Sequence, residues 1–197
     1  MNLIIVSGIP CSGKSSVAKS LSKEFGYKIL SKDNFKERIF NQYGFQTAEE
    51  KKVLDNIAEK TLYEEIEKEI KDENNLIVDK WLQGIQPLKV ISGIEFVNLI
   101  FIHLIVNPNI ATIRYNSRNK EGRRPLCFRT TNKFPIIQEN EIEFEEEMTV
   151  EKMCEKANRP FFKDEIYNLL EIDTSDIETN YAEIISEIIT FVKSKVF

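Results

Sequence analysis

Short apolar runs recur along the chain between longer stretches in which apolar and polar residues alternate at helical spacing. The apolar runs are too short for helices and are rich in branched residues, so they predict β-strands at residues 3–7, 27–30, 76–79, 98–106 and 169–173. Continuous apolar runs of this kind are typical of parallel strands that helices cover on both faces. The pattern therefore predicts an α/β fold, an open doubly wound parallel five-stranded sheet with its ligand crevice at the carboxyl ends of the strands.

The segments between these runs carry the start and stop signals of helices. They predict helices over residues 14–25, 34–40, about 47–71, from 107 onward, and 181–196. Gly26 and Gly44 stand where the first two of these helices should end. The residues from Thr47 to Glu50 resemble a capping box, which opens the long third helix.

The domain organisation follows from the length of the chain and from one irregular region. A chain of 197 residues suits a single domain, residues 1–197, and we expect the second strand to lie beside the first, as in many such sheets. Residues 121–148 interrupt the alternation of strands and helices with prolines, basic residues and then glutamates. We predict a mobile lid followed by a helical insertion there, which together occupy about residues 118–160.

The pattern G-x-x-x-x-G-K-S stands directly after the first predicted strand, at residues 8–15, and leads into the first predicted helix. This is the phosphate-binding loop pattern in the context that it requires. Gly8 and Gly13 let the backbone bring its N–H groups near an anion, and the helix N-terminus adds its positive dipole end. Lys14 reaches the β- and γ-phosphates, a role that we count as catalytic, and Ser15 offers its hydroxyl to Mg²⁺. The pattern predicts an ATP and Mg²⁺ site in which the nucleotide is held by Gly8, Cys11, Ser12, Gly13, Lys14, Ser15 and Ser16.

Charge and composition narrow the class of partner. Acidic residues outnumber basic ones by 32 to 27, a net charge of −5, which lowers the expectation of a broad nucleic-acid surface. No apolar run approaches the roughly 20 residues that span a bilayer. The first apolar segment runs straight into the phosphate loop, so we expect a cytoplasmic protein with no membrane partner. Three cysteines without C-x-x-C spacing argue against a disulfide framework and a zinc site.

A phosphate loop serves kinases, motor ATPases and switch GTPases alike, so other residues must discriminate between them. The chain has no N-K-x-D motif for reading guanine, which disfavours a GTPase. Asp33 follows the second strand, and we predict that it is the catalytic base or orients the acceptor hydroxyl; the competing interpretation is an N-cap for a helix starting at Asn34. Asp79 ends the third strand, and we predict that it binds Mg²⁺ together with Ser15, against the alternative of a buried or capping aspartate.

Five arginines between residues 114 and 129 supply the positive charge that phosphoryl transfer requires. Arg114 and Arg118 are four residues apart and share one helix face. Planar guanidinium groups suit the oxygens of a transferring phosphoryl group. We predict that Arg118 and Arg123 act catalytically from the lid, whereas for Arg114, Arg124 and Arg129 a surface or structural pairing is at least as well supported.

These motifs together resemble those of the P-loop small-molecule and polynucleotide kinases, a group described as predicted kinases of the AAA_33 type. The group also includes relatives of zeta-toxin and of chloramphenicol phosphotransferase. The resemblance rests on residues 8–15, 31–33, 76–79 and 114–125. It implies ATP-dependent transfer of a phosphoryl group to a hydroxyl of a small molecule, with Asp33 as the base, Asp79 organising Mg²⁺ and the arginines in the lid. It also implies that Thr174 and Ser175 lie near the adenine.

The sequence leaves the acceptor open. A dense acidic cluster comprises Glu139, Glu141, Glu143, Glu145, Glu146 and Glu147. We interpret it as a solvated helix face or insertion, with attraction of a cationic acceptor as the sharper alternative. A polynucleotide 5′-hydroxyl kinase, in which the arginines with Lys120 and Lys133 follow a few phosphates, and a non-catalytic ATP-binding switch are the alternatives to a small-molecule kinase.

Overall fold

The apolar runs form five parallel β-strands in the computed structural model, which describes residues 1–82, 97–135, 142–159 and 166–196. The strands are β1 (Asn2–Gly8), β2 (Lys28–Ser31), β3 (Leu76–Asp79), β4 (Asn98–Ile105) and β5 (Leu169–Asp173). Every neighbouring pair of strands is parallel. The predicted α/β fold with an open five-stranded parallel sheet is therefore confirmed.

The strands lie in the order β2-β3-β1-β4-β5, so the expectation that β2 lies beside β1 is wrong. All residues of β3 are buried, whereas Lys28 at the start of β2 is exposed, which suits β3 to an inner position and β2 to the edge. In the register of the sheet, Asp79 pairs with Val6 on one side and with Ser31 on the other. Asp79 therefore stands between the end of β1 and the segment that follows β2.

The described residues form seven helices, α1 (Lys14–Phe25), α2 (Lys32–Tyr43), α3 (Ala48–Lys71), α4 (Pro108–Lys120), α5 (Leu126–Arg129), α6 (Val150–Ala157) and α7 (Tyr181–Lys193). The helix α2 follows β2 without a linker, so Ser31 takes the N-cap position and Asp33 lies in the first helical turn. The interpretation of Asp33 as the N-cap of a helix starting at Asn34 is therefore wrong. Its carboxylate suits the first turn, where the helix dipole favours negative charge.

Apolar side chains pack on both faces of the sheet. On one face, Val17 and Leu21 of α1 join Ile188 of α7 against the inner strands. On the other face, Leu62 and Ile66 of α3 pack on β1 and β3. Each such side chain contributes about 1.5–3 kcal/mol by leaving water. The loop after β1 thus starts from a strand that is buried along its whole length.

The region predicted as lid and insertion contains two helices among its described residues, α5 and α6. The helix α6 packs on α4, and residues 142–149 before it are not helical, so the described helical part of the insertion is confined to Val150–Ala157. Glu139 and Glu141 of the acidic cluster lie outside the described residues. No described helix is long and apolar enough to cross a membrane.

Candidate active site

The residues 8–15 form a tight loop between β1 and α1, and its backbone conformation requires glycine at two positions. Gly8 has φ 146° and Gly13 has φ 93°. A Cβ atom on Gly8 would lie 2.5 Å from the carbonyl oxygen of Leu104, a backbone atom that cannot move aside. Gly13 stands at the N-cap position of α1, so the unpaired N–H groups of that helix point into the loop. The loop therefore has the conformation that a phosphate site requires.

Ser15 and Asp79 meet beside this loop, as the sequence predicts. The Ser15 hydroxyl donates a hydrogen bond of 2.7 Å to Oδ2 of Asp79. Burial raises the pKa of Asp79, against the effects of the Ser15 hydrogen bond and of the Lys14 ammonium, which lower it. The Asp79 side chain is thus a buried carboxylate with a hydroxyl on one oxygen and a cation nearby.

Lys14 has its ammonium on the loop, where Nζ donates a 2.8 Å hydrogen bond to the carbonyl oxygen of Ile9. Burial lowers the pKa of Lys14, and Asp79 and Asp33 both oppose this shift. Two carboxylates and one ammonium are therefore close enough to interact. If a phosphate oxygen replaced the Ile9 carbonyl oxygen as the acceptor, it would receive a charge-assisted hydrogen bond from the Lys14 ammonium.

The donors at this position suit Mg²⁺ held jointly by protein and nucleotide. Mg²⁺ prefers oxygen ligands and usually takes only one or two from the protein, the rest being water and phosphate oxygens. Ser15 and Asp79 supply a hydroxyl and a carboxylate. Within the described ranges there is no cluster of three or more histidine, cysteine or acidic side chains that could hold a metal alone.

Asp33 is exposed on the first turn of α2 and lines the same cleft as Lys14 and Asp79. Its charge acts on the pKa of both. Because β3 separates β2 from β1, Asp33 reaches the loop from across Asp79 rather than from the adjacent strand. The structure therefore brings the predicted base, the predicted metal ligand and the loop lysine together.

Arg118 and Arg123 differ in their contacts. Arg118 on α4 places Nη1 3.8 Å from Sγ of Cys11, at the mouth of the loop, where its charge acts on Lys14. Arg123 also lines the cleft, but its Nε lies 2.6 Å from Oε2 of Glu121. Cys11 itself has a positive φ of 64°, an unusual conformation for a residue with a side chain.

Arg124 has the structural pairing that the sequence analysis offered for it, and it also lines the cleft. Its side chain is only 21% exposed, and Nη1 donates a 2.6 Å hydrogen bond to Oε2 of Glu145. Nη1 also donates to the Tyr115 hydroxyl, and the guanidinium carbon lies 4.8 Å from the Tyr115 ring and 5.8 Å from the Phe128 ring. The partners come from α4, α5 and residues 142–149, so no local pattern could have identified this position.

Thr174 and the loop residue Ser12 are fully buried and do not line the cleft. The Thr174 hydroxyl donates 2.8 Å to the Ser12 carbonyl oxygen and lies 3.0 Å from the Ile105 carbonyl oxygen. Thr174 therefore holds the loop backbone, and a place for Thr174 near the adenine stays a prediction of the resemblance. Ser16, by contrast, is exposed on the first turn of α1.

Arg114 joins α4 to the segment after β5. Its guanidinium donates hydrogen bonds to both carboxylate oxygens of Glu178, and the distance from Nε to Oε1 is 2.6 Å. It also donates hydrogen bonds to the carbonyl oxygens of Thr174, at 3.2 Å, and of Ser175, at 2.6 Å. This bidentate geometry confirms a structural pairing for Arg114. Arg129 likewise donates to the Asn119 carbonyl oxygen at 2.8 Å.

Three of the described glutamates of the acidic cluster form ion pairs, and the segment that carries them is not helical. Glu145 pairs with Arg124 at 2.6 Å, Glu146 with Lys152 at 3.0 Å and Glu147 with Lys120 at 3.0 Å. Residues 142–149 are thereby tied to α4 and α6. This pairing offsets much of the negative field that would attract a cationic acceptor.

Lys14, Ser15, Asp33, Asp79 and the arginines at 114, 118, 123 and 124 line one cleft of about 1780 Å³. A pocket for a single drug-sized ligand holds roughly 300–1,000 Å³, so the cleft has room for a nucleotide and a second molecule. Beyond the phosphate loop its wall carries the polar and aromatic side chains of Lys32, Lys36, Asp55, Glu59, Lys80 and Trp81.

Comparisons with known proteins are consistent with this geometry. The family profile described as AAA domain matches residues 4–144. Among solved structures, a putative kinase from Chloroflexus aurantiacus has a TM-score of 0.79 at 20% identity, over 100% of this chain and 98% of its own. A gluconokinase from Sinorhizobium meliloti has a TM-score of 0.61 at 14% identity, over 98% and 92%. A sugar kinase from a Janibacter species has a TM-score of 0.59 at 15% identity, over 98% and 95%. No curated protein sequence matches the chain.

Proposed function

Because the chain belongs to the AAA domain family and has the fold of solved structures named as kinases, we propose that it is an ATP-dependent kinase that transfers the γ-phosphoryl group to a hydroxyl of a small molecule. One observation carries the proposal. The Ser15 hydroxyl and the Asp79 carboxylate, joined by a hydrogen bond of 2.7 Å, line the same cleft as Lys14 and Asp33, which supports a Mg²⁺ and phosphate site there.

The donor half of the proposed site consists of the loop and its neighbours. Backbone N–H groups of residues 8–15 and the N-terminus of α1 bind the phosphates, and Lys14 moves from the Ile9 carbonyl to the β- and γ-oxygens. Ser15 and Asp79 are the residues that would hold Mg²⁺, which neutralises phosphate charge when bound. Thr174 keeps the loop backbone in place.

Asp33 is the group that we assign to the acceptor hydroxyl. A carboxylate within hydrogen-bond reach of that hydroxyl orients it and accepts its proton as the oxygen attacks the γ-phosphorus. Asp33 stands on the cleft wall opposite the phosphate loop, with Asp79 between them. This order puts the acceptor hydroxyl between Asp33 and the γ-phosphate.

Arg118 and Arg124 are the arginines that we assign to the charge of the transferring group. Arg118 already lies at the loop mouth, and Arg124 is held in the cleft by Glu145 and Tyr115. Preorganised donors of this kind stabilise a transition state without reorganising during the reaction. Arg123, paired with Glu121, takes a smaller part in the proposal.

The acceptor that we propose is a small polyhydroxylated molecule. The wall beyond Asp33 alternates carboxylates and ammonium groups, with Asp55 and Glu59 beside Lys32 and Lys36. Such a wall both accepts and donates hydrogen bonds, as a polyol requires. Two of the similar structures are named as a gluconokinase and a sugar kinase, which agrees with this class.

The polynucleotide alternative is less well supported. A phosphate track needs cations that are available to the backbone of the nucleic acid. Arg114, Arg123, Arg124 and Lys120 are each paired with a glutamate. Four of the cations between residues 114 and 124 are thereby compensated.

ATP consumption with a panel of acceptors tests the proposed function. The panel comprises sugars, sugar acids, nucleosides, aminoglycosides and a 5′-hydroxyl oligonucleotide. We expect a sugar or sugar acid to stimulate Mg²⁺-dependent ADP formation. Asp33→Asn should abolish this stimulation while Mg·ADP still binds, and Asp72→Asn, an exposed aspartate after α3, is the matched control. Stimulation by the oligonucleotide alone, or full activity of Asp33→Asn, would contradict the proposal.

A further inference from the structure

The segment with the lid arginines is fastened to the helices α2 and α3. Phe128 of α5 packs with Phe40 and Phe45 in a small aromatic core, with ring centroids 6.1 Å apart for Phe40–Phe128 and 5.4 Å apart for Phe40–Phe45. Phe45 and Phe134 exchange two backbone hydrogen bonds of 2.7 and 2.8 Å. Part of the predicted lid is therefore joined to the acceptor side of the cleft.

Lys51 of α3 makes the polar connection within this contact. Its ammonium donates to the carbonyl oxygens of Phe128, at 3.1 Å, and of Thr130. It also lies 5.5 Å from the centroid of the Phe45 ring. The side chain is half-buried, and burial lowers the pKa of Lys51. A half-buried ammonium with two carbonyl partners is an unusual element for an ordinary surface helix.

The two carbonyl groups belong to the end of α5, a helix of only one turn. The last carbonyls of a helix have no partner within it, and a cation there also interacts favourably with the helix dipole. A further carbonyl at this end of the helix, that of Arg129, accepts a hydrogen bond of 2.7 Å from the backbone N–H of Glu145. So α5 is held at its C-terminal end by Lys51 and by the segment that carries Glu145.

The residues that attach α5 to the rest of the structure also contact Arg124. Phe128, whose carbonyl Lys51 binds, carries the ring on which the Arg124 guanidinium lies, and Glu145 bonds both α5 and Arg124. Lys51 is close enough to Arg124 and Glu145 for their charges to act on its pKa. A shift of α5 would thus displace Arg124 in the cleft.

We propose that Lys51 is a positioning residue that fixes α5, and through α5 the guanidinium of Arg124, against the reaction centre. The inference rests on the proposed function, since it gives Arg124 the transferring phosphoryl group to stabilise. Lys51 itself does not line the cleft.

Calorimetric titration with Mg·ADP and with Mg·ADP plus aluminium fluoride, a mimic of the transferring group, tests this role. In Lys51→Met we expect affinity for the fluoroaluminate complex to fall about tenfold to a hundredfold, because small misplacements of a catalytic group cost this much. Affinity for Mg·ADP should stay unchanged. Lys51→Arg, which keeps the donors, should restore most of the loss, and Lys52→Met, an exposed neighbour, is the matched control.

A double-mutant comparison shows whether Lys51 acts through Arg124. Lys51→Met combined with Arg124→Gln should bind the fluoroaluminate complex no more weakly than Arg124→Gln alone. Additive losses, or an unaltered Lys51→Met, would overturn the inference. If Lys51→Met is unfolded in a thermal melt, Lys51→Gln takes its place in the same cycle. A wild-type chain that binds both complexes equally would instead contradict the proposed function.

Discussion

Replacing Asp79 with asparagine separates the metal from the rest of the site. Asp79 is 7% exposed and accepts the 2.7 Å hydrogen bond of Ser15. Asparagine has nearly the same shape and keeps a carbonyl oxygen for this bond. The substitution therefore removes one negative charge from the site and little else.

In the unliganded chain we expect Asp79→Asn to be at least as stable as wild type at neutral pH. Burial raises the pKa of Asp79 in the folded state. A raised carboxyl pKa means that the stability present at acid pH is lost as the pH rises through the folded value, so the wild type carries the full desolvation cost at neutrality. Asparagine does not carry it, and the lost attraction to Lys14 offsets part of the gain.

In the liganded chain the effect is opposite and larger. Mg·ADP at a hundred times its Kd adds about 2.7 kcal/mol to the free energy of unfolding, and a chain of this size gains roughly 2–4 °C in Tm per kcal/mol. Loss of a metal-binding group weakens metal affinity about 10- to 100-fold. At the same ligand concentration the stabilisation then falls to between about 0.4 and 1.4 kcal/mol, so the shift in Tm is at least roughly halved.

A thermal melt with Mg·ADP, repeated with ADP and EDTA, measures both effects. Wild type and Asp72→Asn should show a clear Mg²⁺-dependent shift in Tm. Asp79→Asn should lose at least about half of that shift, and its unliganded Tm should be no lower than that of wild type. An undiminished Mg²⁺-dependent shift in Asp79→Asn would refute the assignment of Asp79 to the metal.

Three further outcomes follow from contacts around the loop and the cleft. Thr174→Val removes a buried hydroxyl and leaves the Ser12 carbonyl without its donor, so urea titration should show a loss of about 1–3 kcal/mol together with weaker ADP binding; an unchanged free energy of unfolding would disprove the bond's importance. Arg124→Gln should lower kcat with the identified acceptor about a hundredfold, more than Arg123→Gln, and the reverse order would contradict the assignment. Because burial lowers the pKa of Lys14, affinity for ADP measured by calorimetry should begin to decline at a lower alkaline pH than an ordinary lysine would allow. In Lys14→Met this decline should be absent, and the same decline in Lys14→Met would show that another group is responsible.

The local sequence pattern was sufficient to predict the strands and the phosphate loop. The apolar run before Gly8, the two glycines and the following helix lie within a few residues of one another, so their geometry follows from neighbouring sequence. Strand order depends on which distant strands pair, and the run at residues 27–30 contains no information about β3. For this reason the prediction that Asp33 follows β2 at the cleft agrees with the structure, whereas the expectation that β2 lies beside β1 is wrong.

The partners of the arginine side chains were likewise not predictable from the neighbouring sequence. Arg123 and Arg124 are adjacent in sequence, yet one pairs with Glu121 and the other is enclosed by Tyr115 and Glu145. The glutamate that holds Arg124 is 21 residues away, in a segment that sequence alone presented as solvated. The hydrogen bond of Thr174 to the Ser12 carbonyl oxygen likewise depends on the packing of β5 beside β4, which the sequence near Thr174 does not reveal.

The central claim is that this cleft transfers a phosphoryl group from ATP to a hydroxyl. Single-turnover reaction with ATP labelled in the γ-phosphoryl group, Mg²⁺ and the acceptor panel, followed by product analysis, tests it most directly. The account predicts that the label leaves ATP for a phosphomonoester of a sugar-like acceptor in wild type, and that Asp33→Asn binds the labelled ATP without transferring it. Label that appears only as inorganic phosphate, with every acceptor present, would contradict the claim.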